Sequence, residues 1–102
     1  MEKFDERKKS FEKKFAHDEE LKLKVASRRN KYLGQWASKI LNYDTKKESE
    51  YIQSVIKADF QEAGDEDVFR KIKEDLKDRN ISDDEIRNKM RELNEKAKSD
   101  FI

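Results

Sequence analysis

The sequence contains no cysteine and no proline, and it has only two glycines among its 102 residues. The lack of cysteine excludes disulfide frameworks, thiolate metal sites and cysteine nucleophiles. Turn-rich all-β folds need glycine and proline at their turns, so the composition excludes them as well. No run of about 18 apolar residues occurs, and seven acids among the first twenty residues are unlike a secretory or transit peptide. We therefore expect a cytoplasmic protein without a membrane-spanning helix.

Charged residues are abundant instead, at 48% of the chain against 33% for the hydrophobic set. With so little apolar material, the chain builds one domain with one modest core. The net charge of +1 hides an asymmetry: residues 1–40 hold twelve bases and seven acids (+5), whereas residues 41–102 hold thirteen bases and seventeen acids (−4). Residues 21–40 hold six bases and no acid. These bases either pair with the acidic later helices or face a partner.

Helical periodicity divides most of the chain into four amphipathic segments. The first covers about residues 19–42, after an N-cap at Asp18. Its apolar residues spread over an arc of about 200°, too wide for one neighbour to cover, so we expect this helix to be central. They are Leu21, Leu23, Val25, Ala26, Tyr32, Leu33, Trp36, Ala37, Ile40 and Leu41. Lys22 and Arg29 fall inside the same arc, so they must snorkel, pair with an acid or face something outside the domain.

The second of these helices has predicted start and stop signals. Thr45 to Glu48 fit a reciprocal capping box, which predicts that the helix begins near Thr45. Gly64 is expected to end it, because glycine readily adopts the left-handed conformation found just past a helix end. The residues of its predicted apolar face are Tyr51, Ile52, Val55, Ile56 and Phe60.

The last two helices are delimited in the same way. Asp65 is the predicted cap of one and Asn80 its terminator. Ser82 to Glu85 form a second capping box, and Ile81 and Ile86 occupy the hydrophobic staple positions beside it. The apolar residues of the two helices are Val68, Phe69, Ile72 and Leu76, then Ile86, Met90, Leu93, Ala97 and Phe101.

Residues 1–17 differ from the predicted four-helix bundle, residues 18–102. Their apolar content is a narrow stripe of Phe4, Phe11 and Phe15 at i, i+7 and i+11. Burying three phenylalanines contributes roughly 5–9 kcal/mol, whereas ordering a dozen residues costs about 1–2 kcal/mol each. The segment is therefore expected to fold on a partner, although docking on the bundle is the alternative. The predicted fold is an all-α four-helix bundle with a flexible or marginally helical N-terminal arm.

Six blocks of the sequence form a longer pattern. They are Phe4–Arg7, Phe11–Leu21, Arg28–Ala37, Lys57–Phe60 with Gly64–Val68, and Ile86–Met90. In this order they cover essentially the whole chain, and the pattern resembles the alphaproteobacterial inhibitor subunit zeta of the F-type ATP synthase. One departure is Ala63, where many relatives have proline; this position lies outside the N-terminal arm.

The resemblance implies a non-catalytic protein that blocks ATP hydrolysis. In the family, the N-terminal arm enters the catalytic head of the enzyme between a catalytic and a non-catalytic subunit, near the rotating central shaft. Carried over to this chain, the arm is about residues 4–16. Its implied partner-binding residues are Phe4, Arg7, Lys8, Phe11, Lys14 and Phe15. We expect a monomer when free, held at the cytoplasmic face of the inner membrane through the ATP synthase.

Two regulatory hypotheses concern residues at or after the arm. His17 titrates near neutrality and adjoins the arm, so we consider it a pH-sensitive hinge; among exposed acids it is not expected to hold a metal. The resemblance also implies weak contact with adenine nucleotides, for which we select Lys22, Arg28 and Arg29. No other cofactor is expected, and no constellation of catalytic residues is present, so we do not expect an enzyme.

Two other classes of function compete with inhibition. A small nucleic-acid- or nucleotide-binding protein would use the bases between Lys22 and Lys39, which are interleaved with Tyr32 and Trp36. The net charge of +1 and the acidic later helices argue against it, and its affinity would fall steeply with salt. A homo-oligomeric helical scaffold would bury the phenylalanine stripe against itself, which sedimentation at several concentrations would detect.

Overall fold

The computed structural model describes residues 19–60 and 65–101, and within them every regular element is helical. The elements are α1 (Glu19–Ile40), α2 (Thr45–Ala58), α3 (Glu66–Asp75) and α4 (Asp83–Ser99), with a single 3-10 turn (Lys77–Arg79) after α3. The predicted all-α four-helix bundle is confirmed. The predicted arm, His17, the predicted cap Asp18 and Gly64 lie outside the described residues.

The four helices are arranged as a ring around one core. α1 packs against α2 and α4, and α3 packs against the same two helices from the other side. The broad apolar arc of α1 is thus shared between two neighbours. The buried core residues are Leu33 and Ala37 of α1, Tyr51 and Val55 of α2, Val68, Phe69 and Ile72 of α3 with Leu76 after it, and Ile86, Met90 and Leu93 of α4.

Helices α1 and α2 approach each other closely at Gly34. A Cβ atom added there would lie 2.8 Å from Ile52 Cγ1 and 3.0 Å from Ile52 Cα. The second contact is to backbone, so the side chain of Ile52 alone cannot make room for it. A residue without a side chain is therefore needed in the middle of α1 to bring the two helices together.

Helix α2 begins at Thr45 as predicted, but its cap and its end differ from the prediction. The N-cap is Asp44, whose Oδ1 accepts a hydrogen bond of 2.8 Å from the Lys47 backbone N–H. Thr45 is therefore the first helical residue, and the predicted capping box with Glu48 is wrong. The carboxylate one residue earlier accepts from an orphan N–H of the first turn and also places a negative charge at the positive helix end.

Helix α2 ends at Ala58, and Phe60 has left its apolar face. The Asp59 backbone N–H donates to Val55 and Ile56 carbonyl oxygens, which closes the helix six residues before Gly64. Phe60 is 69% exposed, so its predicted place in the core is wrong. Phe60 follows Ile56 by four residues, and this spacing places two side chains on one face only where the chain is helical.

The caps of α3 and α4 behave differently from each other. Asp65 holds the N-cap position of α3, but its side chain makes no capping hydrogen bond there. Ser82 caps α4 with both bonds of the predicted capping box, to and from Glu85. Asn80 adopts the left-handed conformation at φ 60°, as expected for a terminator, although it ends the 3-10 turn and not α3 itself.

Candidate functional site

The bases of α1 differ in their surroundings, and these decide which bases a partner can reach. Lys24, Lys31 and Lys39 are exposed, Lys22 and Arg28 are partly exposed, and Arg29 is buried. The sequence predicted a choice between pairing inside the bundle and facing a partner. The structure shows both outcomes on one helix.

Arg29 forms its ion pairs inside the bundle. Its guanidinium lies 3.4 Å from Asp59 Oδ2 and 3.9 Å from Asp65 Oδ2. Its Nε donates to Asn30 Oδ1 at 3.0 Å, and Asn30 Nδ2 in turn donates to Asp59 Oδ2 at 3.1 Å. Asp59 directly follows α2 and Asp65 precedes α3, so this network fastens the end of one helix and the start of the next to α1.

Arg28 is the next residue along α1 and meets a different element. Its Nη1 donates to Asp100 Oδ2 at 3.2 Å, and its guanidinium lies 5.4 Å from the centre of the Phe101 ring. Tyr32 donates its hydroxyl proton to the same carboxylate of Asp100. Lys96 lies over the Tyr32 ring at 4.4 Å. These contacts fasten the end of α4 to the middle of α1.

Lys22 lies near the start of α1 and pairs within its own helix. Its Nζ is 3.6 Å from Glu19 Oε1, an exposed i, i+3 pair of the kind that contributes little to stability. Lys22, Arg28 and Arg29 therefore do not converge on one cavity, and each already has a carboxylate partner. A bound phosphate would have to displace at least one of these carboxylates.

An open groove of about 760 Å³ runs between the first half of α1 and α2. Leu23, Ile52 and Ile56 supply its apolar floor, and Arg28 and Lys31 lie along it. Leu23 is 58% exposed, although the sequence placed it in the apolar arc of α1. We call this depression the α1–α2 groove.

A smaller depression of about 140 Å³ lies at the junction of α1, α3 and α4. Arg29, Arg87 and Arg91 line it, but Asp65 lies among them. Arg87 is engaged by Glu66 through two hydrogen bonds of 2.9 and 3.2 Å and stacks over the Phe69 ring at 3.7 Å. The hydrogen bond from Arg87 lowers the pKa of Glu66 below its ordinary value. The pair joins α3 to α4.

Sequence reasoning missed the acids that determine these arrangements. Asp59 and Asp100 each accept from two side chains of α1, but neither lies on an apolar stripe or inside a capping box. The sequence did contain one indication. Lys22 and Arg29 lie inside the apolar arc of α1, which suggested that they pair with acids but did not show which acids.

The part of the chain that the structure describes contains no group of three or more His, Cys, Asp or Glu that could hold a metal ion. None of its helices is both long and apolar enough to cross a membrane.

A comparison with curated proteins found no match. A family model described as ATPase inhibitor subunit zeta matches residues 1–100. Because this match spans nearly the entire sequence, the chain belongs to the family of the ATPase inhibitor subunit zeta, a non-catalytic regulatory protein whose partner is an ATP synthase.

Proposed function

We propose that this chain inhibits ATP hydrolysis by inserting residues 1–17 into the catalytic interface of the ATP synthase head, near the rotating shaft. The observation that carries the proposal is that α1 to α4 bury their apolar faces against one another. A segment with three phenylalanines is thus joined to a body that already has a core. The family match begins at residue 1, so the segment is part of the pattern that defines the inhibitor.

Such a block requires binding energy and no chemistry. A helix wedged into an interface that opens and closes in every cycle stabilises the conformation it fits and disfavours the others. If the inhibitor binds the stalled conformation about 10⁴-fold more tightly, it shifts a two-state equilibrium by about 5.5 kcal/mol. Phe4, Phe11 and Phe15 are the proposed apolar anchors, and Arg7, Lys8 and Lys14 the proposed contacts to acidic groups of the head.

Deleting residues 1–16 tests this division of labour. We expect the shortened chain to keep its helical circular dichroism and cooperative unfolding but to lose inhibition of the matching enzyme. The matched control is the full chain with Phe4, Phe11 and Phe15 replaced by serine, which retains length and charge. A deletion that unfolds the bundle would show that these residues belong to the core, and retained inhibition would refute the proposed role of the arm.

We further propose that inhibition is selective for hydrolysis. One sense of rotation would tighten the groove that holds the arm, whereas the other would open it. ATP hydrolysis and ATP synthesis are to be compared in membrane vesicles with and without the protein. Equal inhibition of both reactions rules this selectivity out.

Two regulatory proposals accompany the arm. His17→Ala is expected to flatten the pH dependence of inhibition if His17 acts as a pH-sensitive hinge; an unchanged profile removes the hypothesis. Weak nucleotide contact at Lys22, Arg28 or Arg29 would compete with Glu19, Asp100 and the Asp59–Asp65 pair, respectively. Asp100→Asn is therefore expected to strengthen nucleotide binding if Arg28 takes part.

A further inference from the structure

We infer that the α1–α2 groove is a second docking surface, which receives an acidic amphipathic helix of the ATP synthase head. This inference rests on the proposed function, since it places the body of the inhibitor against the same partner as the arm. It concerns the folded part of the chain and not the arm itself. Three observations carry it: the shape of the groove, its charge and its position along the chain.

The shape suits a helix from another chain. The floor is apolar, with Leu23 58% exposed and Ile52 and Ile56 only partly covered. The groove is open to solvent along α1 and α2. An extended open trough between two helices fits the apolar stripe of a third helix, which is a common mode of peptide recognition.

The charge selects an acidic partner. Lys24, Arg28 and Lys31 line the groove together with only one acid, Glu20. Lys24 lies 3.5 Å from Glu20, and Arg28 is paired with Asp100. Lys31 is exposed and has no ion pair within residues 19–60 and 65–101. A helix with carboxylates beside its apolar stripe would supply the missing partner and match the positive rim.

The charge also argues against two other occupants. Residues 4–15 carry five bases and three acids, so the arm has the same sign as the groove. A second copy related by two-fold symmetry would present the same basic rim and oppose Lys31 with like charge. Neither occupant presents a net negative charge to the groove.

The position of the groove brings it to the partner whenever the arm is inserted. Leu23 lies only six positions after His17, and the residues from Glu19 onward are helical. Two extended residues followed by four helical ones span at most about 13 Å. Insertion of residues 1–17 therefore holds the groove close to the surface of the head.

The absence of cysteine makes a site-specific cross-linking experiment direct. Leu23→Cys in the full chain, labelled with a benzophenone maleimide, is irradiated in complex with the purified ATP synthase head, and cross-linked peptides are identified by mass spectrometry. We expect a single helical segment of the head with several Asp or Glu residues. Lys39→Cys, at the far end of α1 and outside the groove, is the control and should give little cross-linking. A cross-link to residues 1–18, to a second copy or to a segment without acids overturns the inference, and so does no cross-link.

Binding measurements separate this inference from the proposed function. Lys31→Glu and Leu23→Ser are expected to raise the Kd for the head about tenfold each, while saturating protein still inhibits fully. Lys39→Glu makes the same charge reversal outside the groove and should leave the Kd unchanged. Phe11→Ser should abolish inhibition regardless of whether the groove binds the head. If Phe11→Ser abolishes inhibition but the groove variants bind as the parent does, only the groove inference fails; if Phe11→Ser is without effect, the proposed arm mechanism fails.

Discussion

At the scale of single residues, neighbouring positions on one helix serve different purposes. Arg28 and Arg29 are adjacent in sequence, but a helix turns by about 100° per residue. Arg28 therefore reaches the end of α4, whereas Arg29 is buried against the ends of α2 and α3. A run of bases that reads as one positive stretch in sequence becomes several separate interactions in the fold.

Gly34 is the residue at which steric contact outweighs helix propensity. Replacing glycine by alanine inside a helix normally stabilises it by about 1 kcal/mol. Here the added Cβ atom would lie 3.0 Å or less from Ile52 atoms, and overpacking of this kind costs about 1–3 kcal/mol. After the propensity gain is subtracted, we expect Gly34→Ala to lower the free energy of unfolding by up to about 2 kcal/mol, as measured by urea denaturation.

The exposed residue Lys31, in the middle of α1, serves as the reference for the effect of helix propensity alone. Comparing Lys31→Ala with Lys31→Gly measures the propensity term alone, and alanine should be the more stable of the two. If alanine is also preferred at position 34, the close approach of α1 and α2 described above is wrong.

At the scale of elements, the ends of the helices are set by individual carboxylates. Asp44 caps α2 through the Lys47 N–H, and loss of such a cap costs about 1 kcal/mol. We expect Asp44→Ala to lower the free energy of unfolding by about that amount. Thr45→Ala, one residue later, should change it by less than about 0.5 kcal/mol. The reverse order of effects in thermal or urea unfolding would restore Thr45 as the cap.

The junction of α3 and α4 is expected to weaken in acid. The pKa of Glu66 is lowered in the folded state by its hydrogen bond with Arg87. The stabilisation that this pairing provides is therefore fully present above the ordinary pKa of 4.5. It is lost as the pH falls through the lowered folded-state value.

Glu66→Gln tests this predicted loss of stability at low pH. The variant should be less stable than the parent at pH 7, and the difference should shrink as the pH is lowered below 4.5. Glu50→Gln is the control, since Glu50 is exposed and has no ion pair among the residues described. A difference between Glu66→Gln and the parent that is the same at pH 3 and pH 7 would contradict the prediction.

At the scale of the whole molecule, Arg29 joins three helices through one buried side chain. Removing one partner of a buried ion pair leaves the other charge uncompensated, which costs about 3–5 kcal/mol when burial is complete. Asp59 retains 15% exposure, so for Arg29→Met we expect a loss of about 2–4 kcal/mol. The double variant Arg29→Met, Asp59→Asn should recover at least half of it. Additive losses in urea unfolding would show that the pair is not coupled.

Much of the fold could be read from the sequence because its signals are local. The capping box at Ser82 and the terminator Asn80 depend on residues three or four positions apart, and the structure confirms both. The apolar spacing of α1 and α4 likewise follows from helix geometry alone. Thr45 was misread as the cap because the neighbouring Asp44 offers the first turn of the helix a charged acceptor. Phe60 was misread because spacing cannot show where a helix ends.

The sequence by itself determined the helical class, the four segments, the cap at Ser82 and the membership of the inhibitor family, because each depends on periodicity or on ordered local motifs. Only the tertiary structure decided which cations the bundle neutralises, which apolar side chains remain exposed at Leu23 and Phe60, and where α1 and α2 form a groove. Those properties depend on residues such as Asp59 and Asp100 that are distant in sequence. Their proximity to α1 exists only after the helices have packed.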